Sequence, residues 1–443
     1  MSRISSNHKI FLAGLLAAQP LFAADNNIQG HIGGLSQASQ SVGNVPGNRA
    51  NADLFFDYHK NNTTTYSKDL DRRFTMSALV NDQSLTMYSI QEAYIGGNIT
   101  SKDSVKFGRQ IIPWSAVDHT WGFGKLNNRK NFNSFEPGQE GLLGLMYERK
   151  STNGMRYRAF VSGLYVPEMN PGLDINSKDK TITSRNPWAT PPARTTVLEG
   201  RDVAIQYNVK QPNPSDVIYR YTVGGNIGWE NKHWAFDNFF IRKPENQIST
   251  QVNVLYNTGD DVVKAFITPQ FYYHDVYGSN LKYRNGDLEM YVSGIAIRPN
   301  TFPDGNRDAT TYTEIKTEKR REDYMGGGIS KINDLYGMGL NYVARLSPFN
   351  RERDSLAVDP RWNQALNIFL LRNFKRDYRV SADFKYDMLT TDRLAMLRFG
   401  YNATKSMTLN FGVNMIGTPT NGKSYWSPYT NNDAVYGGLR YIF

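Results

Sequence analysis

The feature that most constrains this chain is a two-residue alternation of apolar and polar side chains, sustained over unusually long segments. In Tyr378–Asp387, tyrosine, valine, alanine and phenylalanine alternate with arginine, serine, aspartate and lysine, and residues 202–210 and 406–415 repeat the pattern. Because successive side chains of a strand point to opposite faces, such segments form sheets with one apolar and one polar face. Segments of about 9 to 13 residues exceed the usual five or six and suit a tilted strand that crosses a bilayer.

The alternation extends along most of the chain and predicts a single antiparallel all-β barrel of about 18 strands, within a range of roughly 16 to 20. The provisional strands lie at residues 28–36, 52–59, 72–80, 86–97, 103–112, 141–150, 154–166, 200–210, 216–229, 233–242, 247–256, 261–273, 286–298, 323–331, 335–346, 361–373, 377–387, 392–402, 405–416 and 433–443. Two connections, 60–71 and 274–285, are longer than a periplasmic turn should be, so the strand count is open by about two.

The connections between these strands differ in length according to the end of the sheet at which they lie. The long ones fall at residues 37–51, 113–140, 167–199, 299–322, 347–360 and 417–432, and by strand count all of them lie at one end. Outer-membrane barrels have this asymmetry, with short periplasmic turns and long external loops.

The first residues of the chain predict export. Arg3 and Lys9 precede an uncharged, mostly apolar run from residue 10 to residue 24, and Ala23 is the small residue that a signal peptidase needs. An anchor helix is the alternative, but the run is about 15 residues long, short of the roughly 20 that span a bilayer. We therefore expect residues 1–23 to be a cleaved signal peptide and residues 24–443 to form one barrel domain.

The last segment of the chain, residues 434–443, has the pattern of a barrel-closing strand. Val435, Leu439, Tyr441 and the terminal Phe443 share one face. This resembles the C-terminal strand of Gram-negative outer-membrane barrels, in which the terminal aromatic residue is the signal read by the barrel-assembly machinery. The alternative is an ordinary edge strand that ends on an aromatic residue.

A second resemblance rests on the end of the strand at 103–112. Gly108-Arg109-Gln110 is followed by Trp114 and a long loop. This is similar to a group of bacterial porin-like barrels with a Gly-Arg-Gln strand end and a nearby tryptophan, and the similarity covers residues 86–166 and 392–443. The resemblance implies a porin-like channel in the cell outer membrane.

Composition excludes several classes of function. The chain has no cysteine, which removes disulfide scaffolds, thiolate zinc sites and cysteine nucleophiles. Without Arg3 and Lys9 the chain has 49 basic and 41 acidic residues, a net charge of +8. It contains neither G-x-S-x-G nor H-E-x-x-H, so we predict no enzyme, no cofactor and no metal site. An exported barrel offers no soluble basic surface for nucleic acid.

A barrel of this size leaves an aqueous lumen unless something fills it. We expect at least one of the long connections 113–140 and 167–196 to fold inward and narrow the pore. By strand parity, the inward basic residues are Arg73, Arg156, Arg158, Lys210, Arg220, Lys264, Arg345, Arg379, Lys385 and Arg440, and the inward acidic ones are Asp57, Glu148, Asp202, Glu289, Asp383 and Asp387.

The excess of basic residues has two interpretations. It favours a mild anion preference with Arg156 and Arg158 as the leading pore residues, because a basic lumen raises the local anion concentration. Alternatively, these charges pair across strands and contribute little. Arg109 is either a constriction or loop-anchoring residue, or an arginine at the lipid–water rim.

Tryptophans near the predicted strand ends suggest an interfacial aromatic girdle. They are Trp114, Trp121, Trp229, Trp234, Trp362 and Trp426.

The sequence thus predicts a passive outer-membrane channel for small hydrophilic solutes, with lipid, lipopolysaccharide and the barrel-assembly machinery as further partners. The basic run at residues 319–321 could contact lipopolysaccharide phosphates. One alternative is a non-conducting barrel that acts as a surface receptor or adhesin, and another is a barrel hydrolase, which histidine mutations would test. Whether the barrel is a homo-oligomer is open at this stage.

Overall fold

The computed structural model describes most of the chain, and the statements below refer to that part. The described residues are 28–41, 47–62, 70–81, 85–130, 134–135, 138–168, 173–186, 188–257, 259–300, 313–316, 320–348, 360–374, 377–419, 424–430 and 432–442. The predicted signal peptide and Phe443 lie outside the described residues.

Eighteen antiparallel strands form one closed sheet, in which the first strand pairs with the last. In ring order they are β1 (Ile28–Ser41), β2 (Gly47–Asn62), β3 (Leu70–Asn81), β4 (Thr86–Asn98), β5 (Asp103–Gln110), β8 (Leu142–Lys150), β9 (Met155–Ser162), β14 (Thr222–Glu230), β15 (Trp234–Pro244), β18 (Tyr273–Asn285), β19 (Leu288–Asn300), β21 (Glu322–Ile332), β22 (Tyr336–Arg345), β23 (Gln364–Phe374), β24 (Tyr378–Asp387), β25 (Arg393–Asn402), β26 (Met407–Gly417) and β27 (Ala434–Ile442). The prediction of an all-β antiparallel barrel of about 18 strands is confirmed.

Nine further strands lie in the described parts of the connections. They are β6 (Asn128–Lys130), β7 (Gly138–Glu140), β10 (Leu173–Ile175), β11 (Ile182–Ser184), β12 (Thr195–Leu198), β13 (Arg201–Val209), β16 (Ser249–Asn257), β17 (Val262–Gln270) and β20 (Thr313–Lys316). Two hairpins, β6–β7 and β10–β11, are separate from a five-stranded sheet in the order β12-β13-β17-β16-β20.

Three predicted barrel strands belong to this smaller sheet. Residues 200–210, 247–256 and 261–273 correspond to β13, β16 and β17, and β13 pairs with β17 in parallel. Conversely, the predicted connection 274–285 lies in barrel strand β18. Alternation identifies a strand but not its partner, because the partner depends on where the chain returns. Of the 20 provisional strands, three do not belong to the barrel, and β18 is one barrel strand that the list did not contain. The barrel therefore still has 18 strands.

The described helices are short. Helix α1 (Ala116–Trp121) begins where Ser115 Oγ accepts a hydrogen bond from the Asp118 amide at 3.2 Å, and it ends at Gly122 with φ 59°. Helix α2 spans Pro214–Ile218, and a 3₁₀ turn spans Ser427–Tyr429. None of the helices in the described part is long and apolar enough to cross a membrane.

The two ends of the ring differ as predicted. Among the described residues, one end has short turns, such as residues 151–154, 231–233 and 286–287, and the other end has the long connections. These long connections are residues 111–141, 163–221, 245–272, 301–321, 346–363 and 418–433. The predicted long connection at 37–51 is wrong, because β1 extends to Ser41 and β2 begins at Gly47.

Candidate functional site

The outer face of the ring carries an apolar band bordered by aromatic residues. At the short-turn end Trp234 packs against Tyr283, with ring centroids 4.8 Å apart, and at the other end Tyr221 packs against Tyr273 at 4.9 Å. On β18 these borders are ten residues apart, or about 25 Å along the axis of a barrel whose strands tilt by about 40°. That height matches the apolar band of membrane barrels.

The described residues of the connection 111–141, which we call the inner segment, lie inside the ring. Within helix α1, the Val117 amide donates to Ser293 Oγ at 3.2 Å and the Ala116 amide donates to Asn280 Oδ1 at 3.0 Å. Asn280 Nδ2 in turn donates to the Trp114 carbonyl at 2.5 Å. Because the described inner segment also contacts β4, β5, β15 and β21, it can lie only within the lumen. The prediction that one long connection folds inward is therefore confirmed.

A buried apolar cluster fills part of the lumen around the inner segment. The Trp121 and Trp362 rings are 5.8 Å apart, the Trp362 and Trp426 rings 5.4 Å, and Phe123 stacks on Tyr324 at 4.3 Å. The inner segment contributes Ile112, Trp114, Val117, Trp121, Phe123, Leu126 and Phe135, and strands from β8 to β26 contribute Leu142, Met146, Phe160, Phe239, Ile241, Val276, Ile295, Ile297, Tyr324, Val343, Ala365, Leu394, Met396 and Ile416. The other long connections contribute Trp188, Trp362 and Trp426, so four long connections share one core inside the barrel.

The prediction of a tryptophan girdle is wrong for four of its six members. Trp114, Trp121, Trp362 and Trp426 are at most 1% exposed and belong to this internal core. Trp229 and Trp234, by contrast, are 38% and 43% exposed on the outer face. Proximity to a strand end in sequence does not reveal whether a side chain points to the lipid side or to the lumen, because loops can fold back inside.

Arg109 anchors the inner segment where it joins β8. Its Nε donates to the Gly141 carbonyl at 2.9 Å, and its Nη2 lies 3.0 Å from Glu140 Oε2. Ser89 Oγ also donates to Glu140. Gly108 precedes Arg109 with φ 130°, where an added Cβ would collide with the Ala93 carbonyl. The structure therefore favours the loop-anchoring interpretation of Arg109 over a place at the lipid–water rim.

Further polar contacts hold the inner segment on the opposite wall. Lys125 Nζ lies 2.8 Å from Glu322 Oε1 on β21. The carboxylate of Asp118 accepts hydrogen bonds from the Lys125 and Leu126 amides at 2.9 and 3.0 Å. The segment is thus held at its junction with β8, at its helix and at Lys125.

Arg361 joins the long connections to one another. Its guanidinium donates to the Gly122 carbonyl at 3.3 Å and to the Ser134 carbonyl, and it lies 4.8 Å from the Trp426 ring. Burial, together with the nearby charge of Arg129, lowers the pKa of Arg361 to about 10, although the Tyr425 hydroxyl opposes this shift. At neutral pH Arg361 therefore remains a cation at the centre of the core.

The predicted leading pore residues are paired with carboxylates. Arg156 Nη2 lies 2.9 Å from Asp237, and Arg158 Nε lies 2.7 Å from Glu148. Arg73 Nε lies 3.0 Å from Glu92 Oε2 on the neighbouring strand. For these three arginines, the structure favours cross-strand pairing over an uncompensated positive lining.

Strands β2 to β5 carry a second ionic cluster, which the parity analysis missed. Lys106 Nζ lies 2.6 Å from Asp71 Oδ2, and His59 Nε2 lies 3.1 Å from Asp71 Oδ1. Tyr94 also donates to Asp71 at 3.3 Å. The alternation on β3 and β5 could have identified Asp71 and Lys106, but the pairing itself needs the register of three strands.

The wall formed by β24 to β27 carries several basic residues on its inner face. Arg379, Asp383 and Lys385 alternate with the exposed outer residues Tyr378 and Phe384 and therefore face the lumen. The same alternation places two further basic residues, Arg398 and Arg440, on the inner face. The carboxylate of Asp387, at the loop end of β24, accepts backbone hydrogen bonds from Asn363, Leu389 and Thr390.

Four other predicted lining residues have different positions. Arg220 precedes β14 rather than lying in it; its Nε donates to the Asp216 carbonyl at 2.9 Å and its guanidinium lies 4.9 Å from the Phe271 ring. Asp202 and Lys264 lie in the smaller sheet and Lys210 directly follows β13, so none of these three belongs to the barrel wall.

Two of the remaining predicted residues lie in barrel strands. Arg345, at the loop end of β22, donates through Nε to Ser347 Oγ at 3.1 Å. Tyr441 lies in β27 opposite Met407 and Ile32.

No family model matches this chain, and no curated protein does. Among solved structures, a mutant of the Rh. blastica porin shares 10% identity, with a TM-score of 0.41 over 94% of this chain and 99% of that chain. OccK11 (OpdR) of Pseudomonas aeruginosa shares 8% identity at a TM-score of 0.44, covering 94% of each chain. Salmonella typhi OmpF, solved with daunomycin, shares 10% identity at 0.43, over 94% of this chain and 97% of that chain.

Proposed function

We propose that this chain is an outer-membrane channel of porin type, through which small hydrophilic solutes diffuse passively. The observation that carries the proposal is a closed 18-stranded ring with an apolar outer band and charged side chains on its inner face. A closed ring satisfies the backbone hydrogen bonds within lipid, and a ring of this size encloses more space than strand side chains alone can fill. The lumen outside the buried core is then the path for solutes.

We also propose a mild anion preference, supported by the wall of β24 to β27. Arg379 is exposed within the lumen, whereas the arginines of β3 and β9 face carboxylates at ion-pair distance. Among the described inward residues of this wall, basic side chains outnumber the carboxylates of Asp383 and Asp387. Fixed positive charge beside a narrow aqueous path raises the local concentration of anions.

Planar-bilayer recording of the purified protein tests both statements. Single-channel conductance steps are expected. In a potassium chloride gradient, the reversal potential should lie closer to the equilibrium potential of chloride than to that of potassium. The double variant Arg379→Gln and Lys385→Gln should move that potential towards the potassium side, while Arg284→Gln, at an exposed pair with Glu289 on the short-turn end, should not. A cation-selective wild type would refute the anion preference, and a folded protein without conductance would refute the channel.

The buried core supports one competing function, a non-conducting barrel that serves as a surface receptor or adhesin. Trp121, Trp362 and Trp426 pack together inside the ring, as a closed plug would. Absence of conductance from a barrel with intact β-sheet circular dichroism would favour this alternative.

The remaining sequence predictions belong to the same proposal. Residues 1–23 would be cleaved, and the barrel would assemble through the C-terminal strand with Tyr441 and Phe443. The basic run 319–321 would contact lipopolysaccharide, which would place the long connections outside the cell. Protease treatment of intact cells tests this orientation, because only external connections are accessible.

A further inference from the structure

The outer face of the barrel has a groove near its short-turn end. It is an apolar cavity of about 490 Å³, lined by residues of β22, β23 and β24. The outward residues that line it are Tyr336, Met338, Leu370, Arg372, Val380 and Ala382. Its volume falls within the roughly 300–1,000 Å³ of typical ligand sites.

The strand register explains why a groove forms here. Ala382 on β24 lies between Leu370 on β23 and Leu397 on β25, and both leucines are more than half exposed. One step towards the turns, Val380 lies between Arg372 and Phe399. Two short side chains thus form a floor along β24, and longer side chains on both neighbouring strands form its walls.

The groove has positive charge at one end. Arg372 is exposed and lines the cavity, with its guanidinium 5.7 Å from the Phe374 ring. Lys331 on β21 pairs in register with Met338, and its Nζ lies 5.8 Å from the Tyr336 ring. Both cations lie near the short-turn ends of β21 and β23, where the apolar band ends. None of the residues that line the cavity is acidic.

We propose that this groove binds one acyl chain of an anionic glycerophospholipid, whose phosphate contacts Arg372 and Lys331. The inference rests on the proposed membrane location, which would put the short turns in the periplasmic leaflet. A narrow apolar groove that ends at two cations is complementary in shape and charge to a lipid acyl chain and its phosphate. A second copy of this barrel would need a protruding ridge with acidic residues at one end to fill it.

The phosphate contact should dominate the selectivity of this site. A lipid chain in the groove leaves surroundings that are equally apolar, so burial of the chain has little hydrophobic driving force. The gain comes from van der Waals contact with the groove and from charge-assisted hydrogen bonds between guanidinium and phosphate. We therefore expect anionic lipids to bind more tightly than zwitterionic ones.

Native mass spectrometry of the full-length protein in non-ionic detergent tests this site. Titration with phosphatidylglycerol should give one lipid adduct of higher affinity than titration with phosphatidylcholine. Arg372→Gln should weaken that adduct about fivefold, because one basic residue near an anionic lipid is worth about that factor. Ala382→Trp should abolish it by filling the groove.

Two matched controls separate the groove from the rest of the outer face. Ala395 faces outward on β25 nearer the long connections, and Arg72 is an exposed arginine on β3. Ala395→Trp and Arg72→Gln should leave the phosphatidylglycerol adduct unchanged. Equal affinity of Arg372→Gln and wild type would overturn the proposal, as would equal losses in the control variants or conversion of a dimer to a monomer by Ala382→Trp.

Conductance distinguishes this inference from the proposed function. Because Ala382 faces away from the lumen, Ala382→Trp should conduct like the wild type. If the wild-type protein binds phosphatidylglycerol as predicted but does not conduct, the proposed channel function is refuted and the proposed lipid site is not.

Discussion

Replacing Arg109 with methionine tests whether its buried ion pair holds the inner segment in the lumen. The side chains of Arg109 and Glu140 are 11% and 2% exposed, and their charged atoms are 3.0 Å apart. The variant leaves the Glu140 carboxylate buried with Ser89 as its remaining hydrogen-bond donor. Removing one partner of such a pair costs about 3–5 kcal/mol.

That magnitude is large enough to change the position of the segment. A loss of about 3–5 kcal/mol corresponds to a factor of roughly 10² to 10³ or more in the equilibrium between the inward and released segment. The ring should stay closed, because its backbone hydrogen bonds do not involve this side chain. We therefore expect Arg109→Met to raise single-channel conductance, and limited proteolysis to cut within residues 111–141.

Arg284 and Glu289 provide the matched control for this prediction. Their charged atoms are 2.7 Å apart, but the two side chains are 67% and 38% exposed. Exposed pairs contribute about 0–1 kcal/mol, so Arg284→Met should leave conductance and proteolysis unchanged. The double variant Arg109→Met with Glu140→Gln should recover part of the loss, since it leaves no buried charge. Wild-type conductance and proteolysis in Arg109→Met would refute this account.

Three further substitutions have expected outcomes. Trp121→Ala should cost about 3–5 kcal/mol of stability, measured by heat-induced mobility shift on gels, whereas Trp229→Ala on the outer face should cost less. Gly108→Ala should destabilise the barrel by about 1–3 kcal/mol in urea unfolding, because φ 130° is strained for alanine, and unchanged stability would contradict the strain. Arg156→Met should leave Asp237 without its arginine and shift the reversal potential towards cations; a shift towards anions would contradict the pairing.

The strand count shows how alternation can predict an architecture while misplacing its parts. Residues 200–210 alternate as regularly as Tyr378–Asp387, yet they form β13 of the smaller sheet. Both sheets have one apolar and one polar face, so the local pattern is the same. Only the parallel partner β17, which arrives more than fifty residues later, decides which sheet the segment joins.

The lining charges show the same division. Parity predicts an inward position for Arg156 and Arg158, but it could not identify Asp237 and Glu148 as their partners. Partner identity depends on register between strands that are far apart in sequence. An inward arginine that the sequence predicts as a free positive charge is therefore, in the structure, one member of an ion pair.

The amino-acid sequence by itself determined the all-β barrel, its approximate size and the different lengths of its two ends, because these follow from local periodicity. The tertiary structure decided what fills the lumen. Trp114 and Trp121 have the sequence environment of an interfacial girdle, but they enter the core since the inner segment folds back through the ring. That return depends on contacts of Arg109 with β7, of Asn280 with the inner segment and of Lys125 with β21. Because these partners are far apart in the chain, the local sequence does not predict the return.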